Sequence, residues 1–374
     1  MDDKDYWRSE RVAFLALSQL KGIGYWTMHK WSLANISFKD VLREPEKFGI
    51  EKSVPSVSED IDDPIEFVWR QGLSAARQLA ALNVALIFKE EPDFPQRLRD
   101  IADGPAWIFV QGVIANLYGP TVGVVGTREP SEDGIFLTRM VVAALHGIKL
   151  ATVSGLAMGI DQVAHIESLN CHIPTIAVLG TGILENYPKN SDRLRKKILS
   201  MGGTIVTEYL PFQSYSAENF VRRNRIQAAL SDVLIPVEWK VKSGTAHTVR
   251  YAKSYGKRVI AVALPYYSKD APETVFIRDE CDGMAFELPR QSDTLCNIIA
   301  TFSENELLLD EDILEQSGVM LESVESVESV ESVESVESVE SVESVESVES
   351  VVSERPKESV NEVQSAPSGQ LPLI

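Results

Sequence analysis

The chain of 374 residues has only three cysteines, Cys171, Cys281 and Cys296, far apart and without a CxxC pair. That excludes a disulfide framework and a zinc site and leaves buried or idle thiols. It has no run of about twenty apolar residues, the length a membrane span requires. Its opening, MDDKDYWRSE, is charged rather than basic and then apolar, so no secretory signal is expected and the cytoplasm is the expected location. A GxGxxG directly after a strand is missing, because GVVGTR at 123–128 has the wrong spacing, and no Walker A sequence occurs. No Ser/His/Asp or Cys/His set requires nucleophilic catalysis. Asp161 and His165 lie four apart on one helix face, but a third ligand cannot be named, so capping and packing account for them. No catalytic residue, metal or cofactor is therefore expected.

What is abundant is negative charge, and it is unevenly placed. Of the net charge of -19, residues 301–374 carry 19 acidic against 2 basic residues, leaving 36 acidic and 34 basic residues in 1–300. The acidity thus belongs to the end of the chain. There Ser-Val-Glu repeats without interruption from Ser323 to Glu349. A period of three does not match the 3.6-residue helical turn, so the valines form no apolar stripe while the glutamates repel one another. Residues 303–374 are expected to be a largely disordered acidic tail, with a short helix near Glu304 to Leu321. Both an acidic docking segment and a solvated appendage fit this composition.

The first ninety residues read as helical. Phe14, Leu17 and Leu20 have helical spacing, Gly22-Ile23-Gly24 makes a turn, and Trp26, His29 and Trp31 follow. Two helices joined by a glycine hairpin can aim backbone N–H groups at a phosphate, as helix-hairpin-helix modules do, although a purely structural turn fits equally. A small all-helical domain over 1–90 is expected. From residue 120 short apolar runs (TVGVVGT, LATVSG, TIAVLGTG, TIVTEY, VLIPVEW, RVIAVALP) alternate with amphipathic stretches. Repeated strand–helix–strand units with right-handed crossovers predict an α/β, Rossmann-like, doubly wound and mostly parallel sheet over 91–302.

Ligands of such sheets sit beyond the carboxyl ends of the strands. Here Gly126, Thr127 and Arg128 end the first run, Ser154 and Gly155 the second, and Gly180-Thr181-Gly182 the third. The first two turns lead into helix N-termini, whose unpaired N–H groups and positive dipole end suit phosphate. ENFVRRNRI at 218–226 sets Arg222, Arg223, Asn224 and Arg225 beside Phe220. Guanidinium groups pair with phosphates and an aromatic ring stacks on a base, a combination suited to a single strand. Lys242, Ser243, Gly244 and Thr245 open a further helix and form a second candidate cradle.

With these residues in place, the middle of the chain resembles the DNA-processing protein A family, also called Smf. The matching stretches are GTR at 126–128, SGLAMGIDQVAH at 154–165, AVLGTGILENYP at 177–188, GGTIVTEY at 202–209, FVRRNRIQAALS at 220–231 and VEWKVKSGTAHT at 237–248. The resemblance implies an extended Rossmann-like domain that dimerises, binds single-stranded DNA without sequence preference and delivers a RecA-type recombinase to it during natural transformation. It also implies a sterile-alpha-motif-like helical domain ahead of it. By position it marks Arg128, Ser154, Gly155, Phe220, Arg222, Arg223 and Arg225 as the nucleic-acid edge, with Lys189 the basic residue after the Tyr-Pro pair. Met158 and Val221 depart from the family's usual arginine and proline, and no winged helix is legible in residues 290–374.

Two other classes share the fold: a nucleotide N-glycosidase or phosphoribohydrolase similar to the lysine-decarboxylase-like enzymes, and a nucleotide sensor. In the first class a catalytic carboxylate follows the glycine-threonine turn, whereas here Ala246, His247 and Thr248 follow. A protein that binds and loads without turnover is the expectation.

Overall fold

The computed structural model describes residues 3–58, 61–267 and 270–303. The Ser-Val-Glu repeats and the helix expected near 304–321 lie outside them.

Helices α1 (Asp3–Ser18), α2 (Tyr25–Leu33), α3 (Phe38–Arg43) and α4 (Pro64–Ala81) come first. The spacing of Phe14 and Leu17 puts both on the buried side of α1. α4 lies along α1 at Gly72, where a Cβ would collide with the Val12 carbonyl and Ala16. α4 starts because Pro64 follows Asp63, whose carboxylate accepts hydrogen bonds from the Ile65 and Glu66 amides. α3 is started by Ser37 and by the buried Glu10 of α1. Phe38 N donates to Glu10 Oε2 at 2.8 Å and the Ser37 hydroxyl to Oε1 at 2.6 Å. The turn between α1 and α2 needs Gly22, at φ +88°.

The remaining helices, α5 (Gln96–Arg99), α6 (Glu132–Ala144), α7 (Ile160–Asn170), α8 (Asp192–Ser200), α9 (Ala217–Leu230), α10 (Gly244–Ser254) and α11 (Pro272–Cys281), alternate with strands. The strands are β1 (Val84–Phe88), β2 (Trp107–Gly112), β3 (Thr121–Gly126), β4 (Ala151–Ser154), β5 (Thr175–Val178), β6 (Thr204–Thr207), β7 (Val233–Val237), β8 (Arg258–Ala263) and β9 (Met284–Glu287). They form one sheet in the order β1-β2-β6-β5-β4-β3-β7-β8-β9. β1–β2 and β2–β6 pair antiparallel and the other neighbours parallel. This is the expected doubly wound α/β fold. β7 is buried along its whole length, as a central parallel strand must be.

One boundary differs from the sequence reading. Residues 84–88, expected inside the helical segment, form β1 at the sheet's antiparallel end. VALIF is a run of five apolar residues, too short for its period to distinguish a strand from a buried helical turn. The helical layer and the sheet share an apolar cluster in which Phe14 packs edge-on against Trp107 at 4.9 Å between ring centres. Such buried aromatic pairs add about 0.5–1.5 kcal/mol beyond their area.

Candidate nucleic-acid interface

The chain reverses its direction of sheet growth between β3 and β7, so the carboxyl ends of β3 to β7 and the starts of α6, α7, α9 and α10 meet at one edge. At that edge Arg128 is exposed and its guanidinium lies 5.4 Å over the Phe220 ring. Phe220, near the start of α9, packs 5.2 Å from Tyr187, which stacks on Tyr215 at 4.1 Å. Ser216 starts α9 by accepting from Asn219 N, which fixes where Phe220 emerges. Gly180 must be glycine for the ring to approach: a Cβ there would lie 2.5 Å from Phe220 Cδ1. Three clustered rings, one of them under a guanidinium, form a platform for stacking with a cation beside it. Lys189 is exposed on the same loop as Tyr187. Among the described residues neither Arg128 nor Lys189 forms an ion pair, although the Arg128 charge reaches the buried Asp161 carboxyl. Tyr187 and Tyr215 were not singled out in the sequence; the signal available was Tyr187 inside the Tyr-Pro motif.

The arginine cluster does not sit together on that platform. Successive helical residues turn by about 100°, so Phe220, Arg223 and Asn224 share one side of α9 while Arg222 and Arg225 share another. Arg225 is 2 % exposed and fully engaged. It donates to Glu208 Oε1 at 2.5 Å and Oε2 at 2.7 Å, to the Asp103 carbonyl at 2.6 Å and to the Arg222 carbonyl at 3.2 Å. The expectation that Arg225 meets a phosphate is corrected: its charge is taken by Glu208. Burial pushes the Glu208 carboxyl up, and Arg225 more than reverses this and holds it below the usual carboxylate range. Tyr25 of α2 donates to the same carboxylate at 2.5 Å, so the cluster fastens the helical layer to the sheet edge. Arg222 leans the same way, 3.6 Å from Glu208 and 4.4 Å over the Trp26 ring.

Arg223 is also buried, lying across Gly155, where no side chain would fit, with Nη2 3.9 Å from Asp161. Its Nε and Nη1 have no hydrogen-bond partner among the described residues. The Asn224 amide donates to the Gly244 carbonyl at 3.3 Å and ties α9 to α10. Ser154 is buried and donates to the Val124 carbonyl, so it is part of the sheet rather than its surface. Thr127 is half-buried and accepts from Glu129 N at 3.2 Å. The second cradle is only partly open. Lys242 and Gly244 are exposed and Ser243 is half-buried, but Thr245 donates to the Gly126 carbonyl at 2.9 Å.

Glu238, just after β7, adopts the left-handed conformation at φ 44°, rare for a residue with a side chain. Its carboxylate accepts from Ser131 N at 2.9 Å, at the start of α6. The anion position of that helix is therefore filled by the chain itself.

Asp161 and His165 are both buried, and no group of three His, Cys, Asp or Glu residues suited to a metal is found among the described residues. His165 Nδ1 is 2.7 Å from Thr175 Oγ1, and burial, then Arg223, pushes its pKa down to about 3. A His held neutral in the fold protonates first in the unfolded chain, so stability is lost as pH falls below about 6.5. Between pH 7.5 and about 5.5 the parent should lose about 1 kcal/mol through this group. In urea unfolding, His165→Gln should narrow its stability gap to the parent by that amount at the lower pH. A gap that is the same at both values would show that His165 is not held neutral.

The profile of the DNA recombination-mediator protein A family matches residues 85–276. Protein Smf of Synechocystis is 32% identical over 268 residues, 68% of this chain and 65% of its own. DNA processing protein DprA of Streptococcus pneumoniae is 37% identical over 169 residues, 45% of this chain and 59% of its own. The chain thus spans about half to two thirds of the length of these curated relatives. The X-ray structure of the Streptococcus pneumoniae protein superposes with a TM-score of 0.51 at 26% identity, covering 71% of this chain and 95% of that one. DNA processing protein A of Helicobacter pylori, described with a single-stranded DNA binding mode, shares the fold at a TM-score of 0.50 and 24% identity, covering 60% of this chain and 97% of that one. The chain belongs to the DNA recombination-mediator protein A family, whose relatives are named Smf and DprA.

Proposed function

We propose that this protein binds single-stranded DNA along the carboxyl edge of its sheet, without turnover, protects it, and helps load a RecA-type recombinase during transformation or homologous recombination. The observation that carries the reading is Arg128 poised over Phe220, whose ring packs on Tyr187, which in turn stacks on Tyr215. A cation on an aromatic cluster with Tyr215 exposed and Phe220 and Tyr187 half-buried suits a strand whose bases are free and does not discriminate sequence. Gel shifts comparing single-stranded DNA, duplex DNA and free nucleotides test it, with single-stranded DNA expected to bind most tightly. Loading is tested by whether the protein speeds RecA-type filament growth on strands already covered by a single-strand-binding protein. A homodimer in the cytoplasm belongs to the same proposal, checked by light scattering.

The competing reading, a nucleotide hydrolase or sensor, needs an open phosphate site and a free carboxylate. Glu238 fills the start of α6, and Glu208 is locked by Arg225. Pure protein is therefore expected to leave AMP intact, as chromatography for free base and ribose phosphate would show. Steady release that disappears in Glu238→Gln would promote the hydrolase.

A further inference from the structure

We propose that a strand held at this edge also places a base in a groove between α2 and the loop after β6, against Trp26. The inference rests on the single-stranded-DNA reading and adds a second subsite to it.

The groove has a volume of about 460 Å³ and is lined by Tyr25, Trp26, Leu79 and Phe212, with Gln19 and Gln78 among its polar groups. Among the described residues no charged side chain lines it. Trp26 is 54% and Phe212 67% exposed, large apolar faces left open to solvent. Aromatic faces with amides nearby match a nucleobase, which is flat and carries donors and acceptors on its rim.

The cation that a phosphate requires stands beside the groove rather than in it. Arg222, 23% exposed, covers the Trp26 ring at 4.4 Å; its Nη2 donates to the Tyr25 hydroxyl at 3.3 Å and its buried Nε faces Glu208 at 3.6 Å. Glu208 takes two hydrogen bonds from Arg225 and one from Tyr25, so Arg222 shares a carboxylate already engaged.

Continuity with the first platform decides between a base and other occupants. The loop from β6 to α9 contributes Phe212 to the groove and, three residues on, Tyr215 to the rings under Arg128. The first two turns of α9 then contribute Phe220 to one platform and Arg222 to the other. A strand that rounds the start of α9 meets both.

The test compares thymidine oligomers of about six and about thirty nucleotides, bracketing ordinary single-strand site sizes, on the full-length protein. Trp26→Ala should weaken the long oligomer about fivefold more than the short one, the least that one lost base stack is worth. The long oligomer should also quench tryptophan fluorescence in the parent, and Trp26→Phe should remove most of that quenching. Phe212→Ala, a replacement on the exposed loop, should repeat the length-dependent loss. Equal losses for both lengths, or parent-like binding by Trp26→Ala and Phe212→Ala while Arg128→Ala binds poorly, would overturn the groove and leave the edge standing. Absence of binding by the parent itself would instead overturn the proposed function.

Discussion

Replacing Arg225 by alanine should destabilise the protein by about 3–5 kcal/mol, the usual cost of stranding one member of a buried ion pair. The loss arises because Glu208 is 1 % exposed and both of its oxygens face Arg225. Without the guanidinium the carboxylate stays buried and, among the described residues, keeps the Tyr25 hydroxyl and the more distant Arg222. Glu208→Ala should cost a similar amount for the reciprocal reason. Urea unfolding followed by circular dichroism measures both. Because the folded carboxyl titrates below its ordinary value, its contribution is present above about pH 4.5 and is lost as pH falls through the folded pKa. Parent-like stability of Arg225→Ala together with weakened DNA binding would return this arginine to the phosphate-binding set.

Arg128→Ala and Phe220→Ala should act on binding in two separable ways. A phosphate contact releases counterions, so affinity for a single strand falls with salt at a logarithmic slope of about -0.7 per contact. Arg128→Ala should weaken binding to every sequence and make the slope shallower by about that amount, because the exposed guanidinium makes no ion pair among the described residues to keep it from phosphate. Phe220→Ala should cost about 1–3 kcal/mol of affinity with the slope almost unchanged, as lost base stacking does. Part of its effect should appear as lower stability, since Phe220 also packs on Tyr187 and fills the space above Gly180. Fluorescence titrations over a range of salt separate the two. Arg128→Ala binding like the parent at every salt concentration would remove this edge from consideration.

The sequence by itself determined the layering of the fold. The alternation of apolar runs and amphipathic stretches is a local property that each segment carries alone, and it yielded a parallel sheet with glycine-rich carboxyl ends. Arg128 and Phe220 were legible too, one at a strand's end and one at a helix's start. Arg222, Arg223 and Arg225 were expected together on the nucleic-acid edge, whereas helical phase divides them between two sides of α9. What each side meets was not legible, because the partners come from distant parts of the chain. Tyr25 and Glu208, which share a hydrogen bond, are 183 residues apart, and no periodicity reports such a contact. Only the tertiary structure decided that Arg225 holds the layers together while Arg128, among the described residues, makes no ion pair. An arginine's role depends on whether a carboxylate reaches it as water is excluded, and that is settled by packing.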